Sequence, residues 1–230
     1  MDRHEMYKVW RDTSAVDLKK KHFHQFNREF EQTSATNSTM SVLEIGCGTG
    51  IFLRYLEQKG YSRIVAIDTD EGLKPVLSDL TKTQVYIGDV FAIAAQNFPG
   101  DRFDRIVLFD VIEHIDVTVI FDFFRRLHDL LAPGGKIVIR APNLTSPWGV
   151  KMFFDTFDHV TPITPGRIRE LAQITGYTVD GIYPQVLGKL KTRIAQSVLH
   201  SFLSAALPYR PDIWSANLLA VLSRDTTPIA

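Results

Sequence analysis

Residues 43–50 read LEIGCGTG: a short apolar run carrying Glu44, then glycines at positions 46, 48 and 50. An apolar strand that runs through a glycine turn into a helix is a common frame for a loop that meets its ligand with backbone. Two familiar versions do not fit. A dinucleotide loop, G-x-G-x-x-G, keeps its last position small so that helix and strand can close on a pyrophosphate. Here that position is Ile51. A triphosphate cradle ends in Gly-Lys-Ser/Thr, and this loop does not.

The acids that follow narrow the reading. Asp68 closes the apolar run RIVAID, 22 positions after Gly46, where a carboxylate can accept from both hydroxyls of an unphosphorylated ribose. Asp89 closes QVYIGD, where a carboxylate can accept from an adenine amino group, and Asp110 closes RIVLFD. Any one of them alone reads equally well as a solvated turn residue or a helix cap. Three acids at successive strand ends disfavour a pyrophosphate and suit a cationic ligand, because open α/β sheets bind ligands at the carboxyl ends of their strands.

Outward from the loop, SVLEI, RIVAID, QVYIGD, RIVLFD and KIVIRA read as buried strands. Residues 50–60, EGLKPVLSDL and VTVIFDFFRRLHDLL read as the helices between them. Apolar strands alternating with helices predict an α/β fold: a doubly wound, parallel sheet with helices on both faces. Residues 17–32 place Leu18, His22, Phe23, Phe26 and Phe30 near one helical face, and the polar TSATNST at 33–39 reads as a linker. After Ala141 the pattern loosens into PNLTSPWGVKMFFDTFDHVTPI, which reads as a long functional loop or small lobe. Thr164, Pro165 and Gly176 then bracket a helix, and strands through YTVDGIY and NLLAVLS complete the sheet.

Lys plus Arg and Asp plus Glu number 26 each, so no overall field draws the chain to nucleic acid. Cys47 is the single cysteine, which leaves no disulfide framework and no thiolate metal cage. The charged opening MDRHEMYKVW lacks the apolar core of a secretion signal, and no run is long enough to span a bilayer. A cytoplasmic protein is expected. Nothing in the sequence points to an oligomeric state.

The ordered segments VLEIGCGTG (42–50), VAIDTD (65–70), GDV (88–90), FDRIVLFDVIEHI (103–115) and LLAPGGKIVI (130–139) resemble the class I S-adenosylmethionine-dependent methyltransferases. The resemblance covers residues 40–142 closely and the last two strands more loosely. It implies a Rossmann-like, seven-stranded sheet whose last strand is antiparallel, a methyltransferase activity, and S-adenosyl-L-methionine as cofactor. Position by position, it implies that Gly46, Gly48 and Gly50 let the backbone pass close to the methionine part, with Cys47 in the same loop. Asp68 and the adjacent Thr69 would serve the ribose, Asp89 and Val90 the adenine, and Phe109 with Asp110 the methionine end. Glu44 would organise the loop and its bound water or amine contacts. Glu113 and His114 match a Glu-His pair common in this family, read as mostly structural, with His114 as a base the alternative.

A sulfonium methyl is already activated, so transfer depends on proximity and orientation, and no metal is expected. A hydroxyl acceptor also needs a base. The candidate is His159 in FDTFDHVTPITP, with Asp155 and Asp158 near enough in sequence to orient its ring; anchoring of the loop is the alternative. Trp148, Phe153, Phe154 and Phe157 would line the acceptor pocket or pack the lobe, packing being expected for most of them. The same region looks like enzymes of sugar or polysaccharide biosynthesis and like some of the quinone pathway. O-methylation of a small-molecule or glycan acceptor is therefore expected, with N- or C-methylation, or cofactor binding without turnover, as alternatives. Leu187, Leu190, Ile194, Val198, Phe202 and Ala206 form a stripe behind Lys189, Lys191 and Arg193. Residues 185–207 could thus meet an anionic membrane face as a peripheral contact, or form a lid or core helix. The expected organisation is an N-terminal flap at 1–39, with Tyr7, Trp10 and Arg11 over the cofactor, and one domain at 40–230. That domain carries an acceptor-side loop at 142–164 and an insertion at 184–211.

Overall fold

A computed structural model of the protein describes residues 17–224. Helix α1 (Lys20–Phe26) continues into a wider π-helical turn, Asn27–Gln32. Then follow β1 (Ser41–Ile45), α2 (Ile51–Lys59), β2 (Arg63–Asp68), α3 (Lys74–Leu77), β3 (Thr83–Ile87), α4 (Val90–Asn97), β4 (Phe103–Phe109), α5 (Ile120–Leu130) and β5 (Leu131–Pro142). The chain continues through α6 (Pro147–Phe154), α7 (Pro165–Thr175), β6 (Tyr177–Pro184), α8 (Leu190–Ala206) and β7 (Asn217–Arg224).

The seven strands form one sheet in the order β3-β2-β1-β4-β5-β7-β6. β7 runs antiparallel to both β5 and β6, and the other pairings are parallel, as expected. Period-two alternation along the central strands feeds two cores. Leu43, Ile45, Ile67, Ile106 and Ile139 pack with α4, α5 and α7 through Ala94, Phe124 and Leu171. Val42, Ala66, Val107 and Val138 pack on the opposite face with α1 and α2 through Phe26, Phe30, Phe52 and Leu56. Both faces are therefore covered, which is why the central strands read as unbroken apolar runs.

Several elements differ from expectation. EGLKPVLSDL forms only a short 3₁₀ turn and the single turn of α3, in a stretch where Gly72 and Pro75 both disfavour a long helix. Helix α4 was hidden in VFAIAAQN, whose apolar character masks the helical period; Asp89 caps it by accepting from the N–H groups of Phe91 and Ala92. The expected long loop after Ala141 contains α6, capped by Ser146 with Pro147 in its first turn. Helix α7 forms as read, with the Thr164 hydroxyl accepting from Arg167 N–H and Gly176 ending it. Tyr7, Trp10 and Arg11 lie outside the described residues.

Candidate active site

The strand order reverses direction between β1 and β4, so a crevice opens above their carboxyl ends. Gly46, Gly48 and Gly50 all take positive φ there (75°, 55° and 74°). At Gly46 a Cβ would lie 2.6 Å from Val111 Cγ2, so this turn has room for backbone only. Gly46 N–H donates to Ile67 C=O at 2.8 Å and Gly48 N–H to Asp68 Oδ2 at 2.9 Å, tying the loop to the end of β2. Asp68 Oδ1 accepts from Asp70 N–H at 3.1 Å. Cys47 is buried in the α2-side core, Thr69 is exposed, and Val90, the first residue of α4, is buried in the opposite core.

Glu44 sits below this loop at 3% exposure, and its Oε2 has no hydrogen-bond partner among the described residues. Burial pushes its carboxyl well above the ordinary 4.5; Arg140 opposes that rise and Asp68 adds to it. A cationic amine over the loop would satisfy the orphan oxygen. The glycine cradle and this buried acceptor thus fit a donor with an amino-acid tail.

Asp110, at the end of β4, holds a positive φ of 57°, uncommon for a residue with a side chain. Arg140 fixes it from β5. Its Nε donates to both carboxylate oxygens at 3.0 and 3.1 Å, and another guanidinium nitrogen contacts Oδ2 at 2.5 Å. The remaining nitrogen donates to Glu29 Oε2 at 2.8 Å, while Gln185 donates to Glu29 Oε1 at 2.8 Å. Burial alone would lower the guanidinium pKa, but Asp110 and then Glu29 raise it above its ordinary value. Arg140 also lies 4.6 Å over the Phe109 ring, which is buried against Phe26 and Phe52. The Phe109 side chain therefore packs in the core. Arg140 and Glu29 escaped the sequence reading; the signal was a lone guanidinium near the end of the apolar strand KIVIRA, in register with Phe109 and so beside Asp110.

A second cluster adjoins this one. The 3₁₀ turn Ile112–His114 follows β4, and Glu113 C=O accepts from Val160 N–H at 2.8 Å and Thr161 N–H at 3.0 Å. This clamps the loop after α6 onto the turn, with the His114 and His159 rings edge to face at 4.7 Å. Asp155 and Asp158 do not orient His159 as the spacing suggested. His159 Nδ1 is 3.0 Å from Phe153 C=O, and Asp158 Oδ2 lies 3.1 Å from His114 Nδ1 instead. A carbonyl only accepts, so Nδ1 of His159 carries its proton and Nε2 keeps the lone pair of the neutral ring. Glu113 is 1% exposed, and burial followed by the Asp110 charge raises its carboxyl well above the ordinary range. Burial lowers the His114 pKa; Asp158 opposes that and His159 adds to it.

On the acceptor side, Asn143 anchors the chain by donating to Ile213 C=O at 2.8 Å, and the Ser146 hydroxyl donates to Trp214 C=O at 2.7 Å. Of the four aromatics, most of which were expected to pack the lobe, only Phe153 is buried. Trp148, Phe154 and Phe157 are exposed, Phe154 by 74% and Phe157 by 91%. Helix α8 overhangs a cleft of about 1220 Å³ bordered by Trp148, Gln185 and Trp214. Its polar residues His200 and Ser204 face Trp214, by ring stacking and by an indole hydrogen bond of 2.9 Å. No residue of α8 is buried, which removes the core-helix alternative.

Comparison with known proteins bears on the family and the fold. A family model described as a methyltransferase domain matches residues 14–181. The ubiquinone biosynthesis O-methyltransferase of Rhodopseudomonas palustris (strain BisB18) is 27% identical over 120 residues, covering 50% of this chain and 46% of that protein. The alpha N-terminal protein methyltransferase 1 of Caenorhabditis elegans is 33% identical over 126 residues, covering 51% and 50%. The matched region is thus about half the length of these curated relatives. Among solved structures, an S-adenosylmethionine-dependent methyltransferase from Archaeoglobus fulgidus superposes with a TM-score of 0.63 at 17% identity, over 87% of this chain and 98% of that one. The 1,6-didemethyltoxoflavin-N1-methyltransferase of Burkholderia thailandensis, with 1,6-didemethyltoxoflavin and S-adenosylhomocysteine bound, gives 0.59 at 14% identity, over 97% and 84%. These two likenesses are of fold. With most of its length inside the family model and a loop that accepts backbone alone at Gly46, the chain belongs to the methyltransferase domain family.

Proposed function

We propose that the protein is an S-adenosylmethionine-dependent methyltransferase acting on a hydroxyl of a small-molecule or glycan acceptor. One observation carries the donor: the glycine turn under which Glu44 Oε2 lies buried without a partner among the described residues. S-adenosylmethionine supplies an activated sulfonium methyl, taken by an acceptor atom in line with the departing sulfur. In this reading Gly46, Gly48 and Gly50 leave space beside the methionine part, and Glu44 answers its ammonium. Asp68 and Thr69 serve the ribose, and Asp89 with Val90 the adenine. Asp110, held by Arg140, lines the methionine end. His159 receives the acceptor proton on Nε2, an assignment supported by its carbonyl-bound Nδ1. Calorimetry with S-adenosylhomocysteine is the direct test. Micromolar binding, weakened at least about tenfold in Asp68→Ala, is expected; no binding, or equal binding by the variant, would sink the donor assignment.

The acceptor class draws on a second feature. Val198 and Phe202 of α8 point away from the cleft, and Leu190 and Ile194 border it while staying 67% and 55% exposed. Lys189, Lys191 and Arg193 flank the first turn of this stripe. An apolar outer face beside cations fits the surface of an anionic bilayer, so the acceptor is assigned as one presented at a membrane. None of the described helices is long and apolar enough to cross one. Sedimentation with liposomes containing anionic lipid, and not with neutral ones, is expected. A dimer in light scattering with no liposome binding would assign the stripe to a second copy. An amine- or carbon-linked methyl in the labelled product would replace the hydroxyl by an N- or C-acceptor.

A further inference from the structure

We propose that Glu113, His114 and His159 form a binding site for a divalent transition-metal ion on the acceptor side of the crevice. One donor atom from each of the three lies within 4.8 Å of the other two. The donors come from two segments, the turn after β4 and the loop after α6, and the paired hydrogen bonds to Glu113 C=O hold those segments together. Around an ion at about 2.0–2.2 Å the donors would stand roughly 3–3.5 Å apart, so small side-chain rotations close the site.

Three features separate this cluster from ordinary packing. Glu113 is almost wholly buried, and its Oε2 has no hydrogen-bond partner among the described residues. Such a group is costly to bury unpaired. Asp110 cannot relieve it, because its carboxylate, held by Arg140, is an acceptor like the orphan oxygen itself. The imidazoles also carry the outer contacts typical of metal-bound histidines: a backbone carbonyl on His159 Nδ1 and a carboxylate beside His114 Nδ1. Asp158, the carboxylate in question, is itself hydrogen-bonded by the Thr156 hydroxyl. Two imidazoles with one carboxylate suit borderline ions, Zn²⁺ foremost and Mn²⁺ next, and leave coordination positions open.

An ion here would bind the acceptor oxygen and lower the pKa of its hydroxyl, whose proton then passes to water; in that loaded state His159 Nε2 is a ligand, and the base role given to it above belongs to the metal-free protein. That role rests on the methyl-transfer reading above; the existence of the site does not. The test uses untagged full-length protein, stripped of metal and dialysed against Zn²⁺ or Mn²⁺ alone. One ion retained per chain is expected, with affinity falling at least about tenfold in His159→Ala and in Glu113→Gln. Both variants should keep S-adenosylhomocysteine affinity within about twofold, which reports that the fold is intact. No retained ion in the wild type, or equal retention in both variants, overturns the site. Metal retention by a wild type that binds no S-adenosylhomocysteine would uphold the site while refuting the donor reading.

Discussion

The two ends of the sheet handle their strand-end residues differently. Above β2, β1 and β4, a chain of contacts ties the loop to the strand ends, leaving Glu44 Oε2 and Glu113 Oε2 open among the described residues: Gly48 to Asp68, Asp68 to Asp70, Asp110 to Arg140, Arg140 to Glu29. Beyond β5 the chain keeps apolar side chains in the open, on α6, in the loop after it and along α8. A ligand that never changes can be met by a rigid, pre-paid frame. A receiver that differs between relatives is met by surface.

If that division holds, binding and chemistry separate by mutation. The largest effect is expected for His159→Ala, which should lose about 10²–10⁴-fold in transfer to a hydroxyl while S-adenosylhomocysteine affinity stays within about twofold. Steady-state kinetics with labelled donor, paired with calorimetry, reads both; unimpaired turnover would place the chemistry elsewhere. Next is the brace between the two halves. Arg140→Met leaves Glu29 buried without its cation and should cost about 3–5 kcal/mol in urea unfolding. A loss under about 1 kcal/mol would mean that Gln185 alone satisfies Glu29.

On the cofactor side, Gly46→Ala forces a Cβ against Val111 and a strained φ. At least about a thirtyfold loss of S-adenosylhomocysteine affinity, roughly 2 kcal/mol, is expected from these two costs together. A smaller effect follows from Glu44, whose raised pKa means that the folded state holds a proton the unfolded chain releases. The stability this provides is complete below about 4.5 and is lost as pH rises through the raised folded value. Glu44→Gln should therefore flatten the fall in Tm of the ligand-free protein between about pH 5 and 8, by ~2–4 °C if the difference is ~1 kcal/mol. A wild-type Tm that rises over that range no less than the variant's would exclude a protonated Glu44. Smallest of all, Ile194→Ser on α8 should change stability by less than about 0.5 kcal/mol. It should still reduce liposome binding, the one readout in which this face matters.

The legibility of the chain follows the same divide. LEIGCGTG, the spacing to Asp68 and the acids ending QVYIGD and RIVLFD could be read because a close backbone approach leaves few residues to choose from. Strand identities were equally plain, since a sheet covered on both faces demands continuous apolar runs. Helix α4 was missed because VFAIAAQN carries no helical period, and Asp89, which caps it, was read as the acid that closes β3. Arg140 and Glu29, 111 positions apart, meet only when β5 is laid beside β4 under α1. The same is true of His159, whose neighbours in sequence suggested Asp155 or Asp158 as its orienter. In space the Phe153 carbonyl holds it, and Asp158 turns to His114.

Sequence alone thus determined the alternation of strand and helix, the glycine turn and the acids around it, all local consequences of period and backbone freedom. Tertiary structure alone decided which charges pair, which aromatics are buried, and that Glu113, His114 and His159 share one small volume. Those depend on strands and loops far apart in the chain, brought together by the burial of two cores and not by any pattern within a segment.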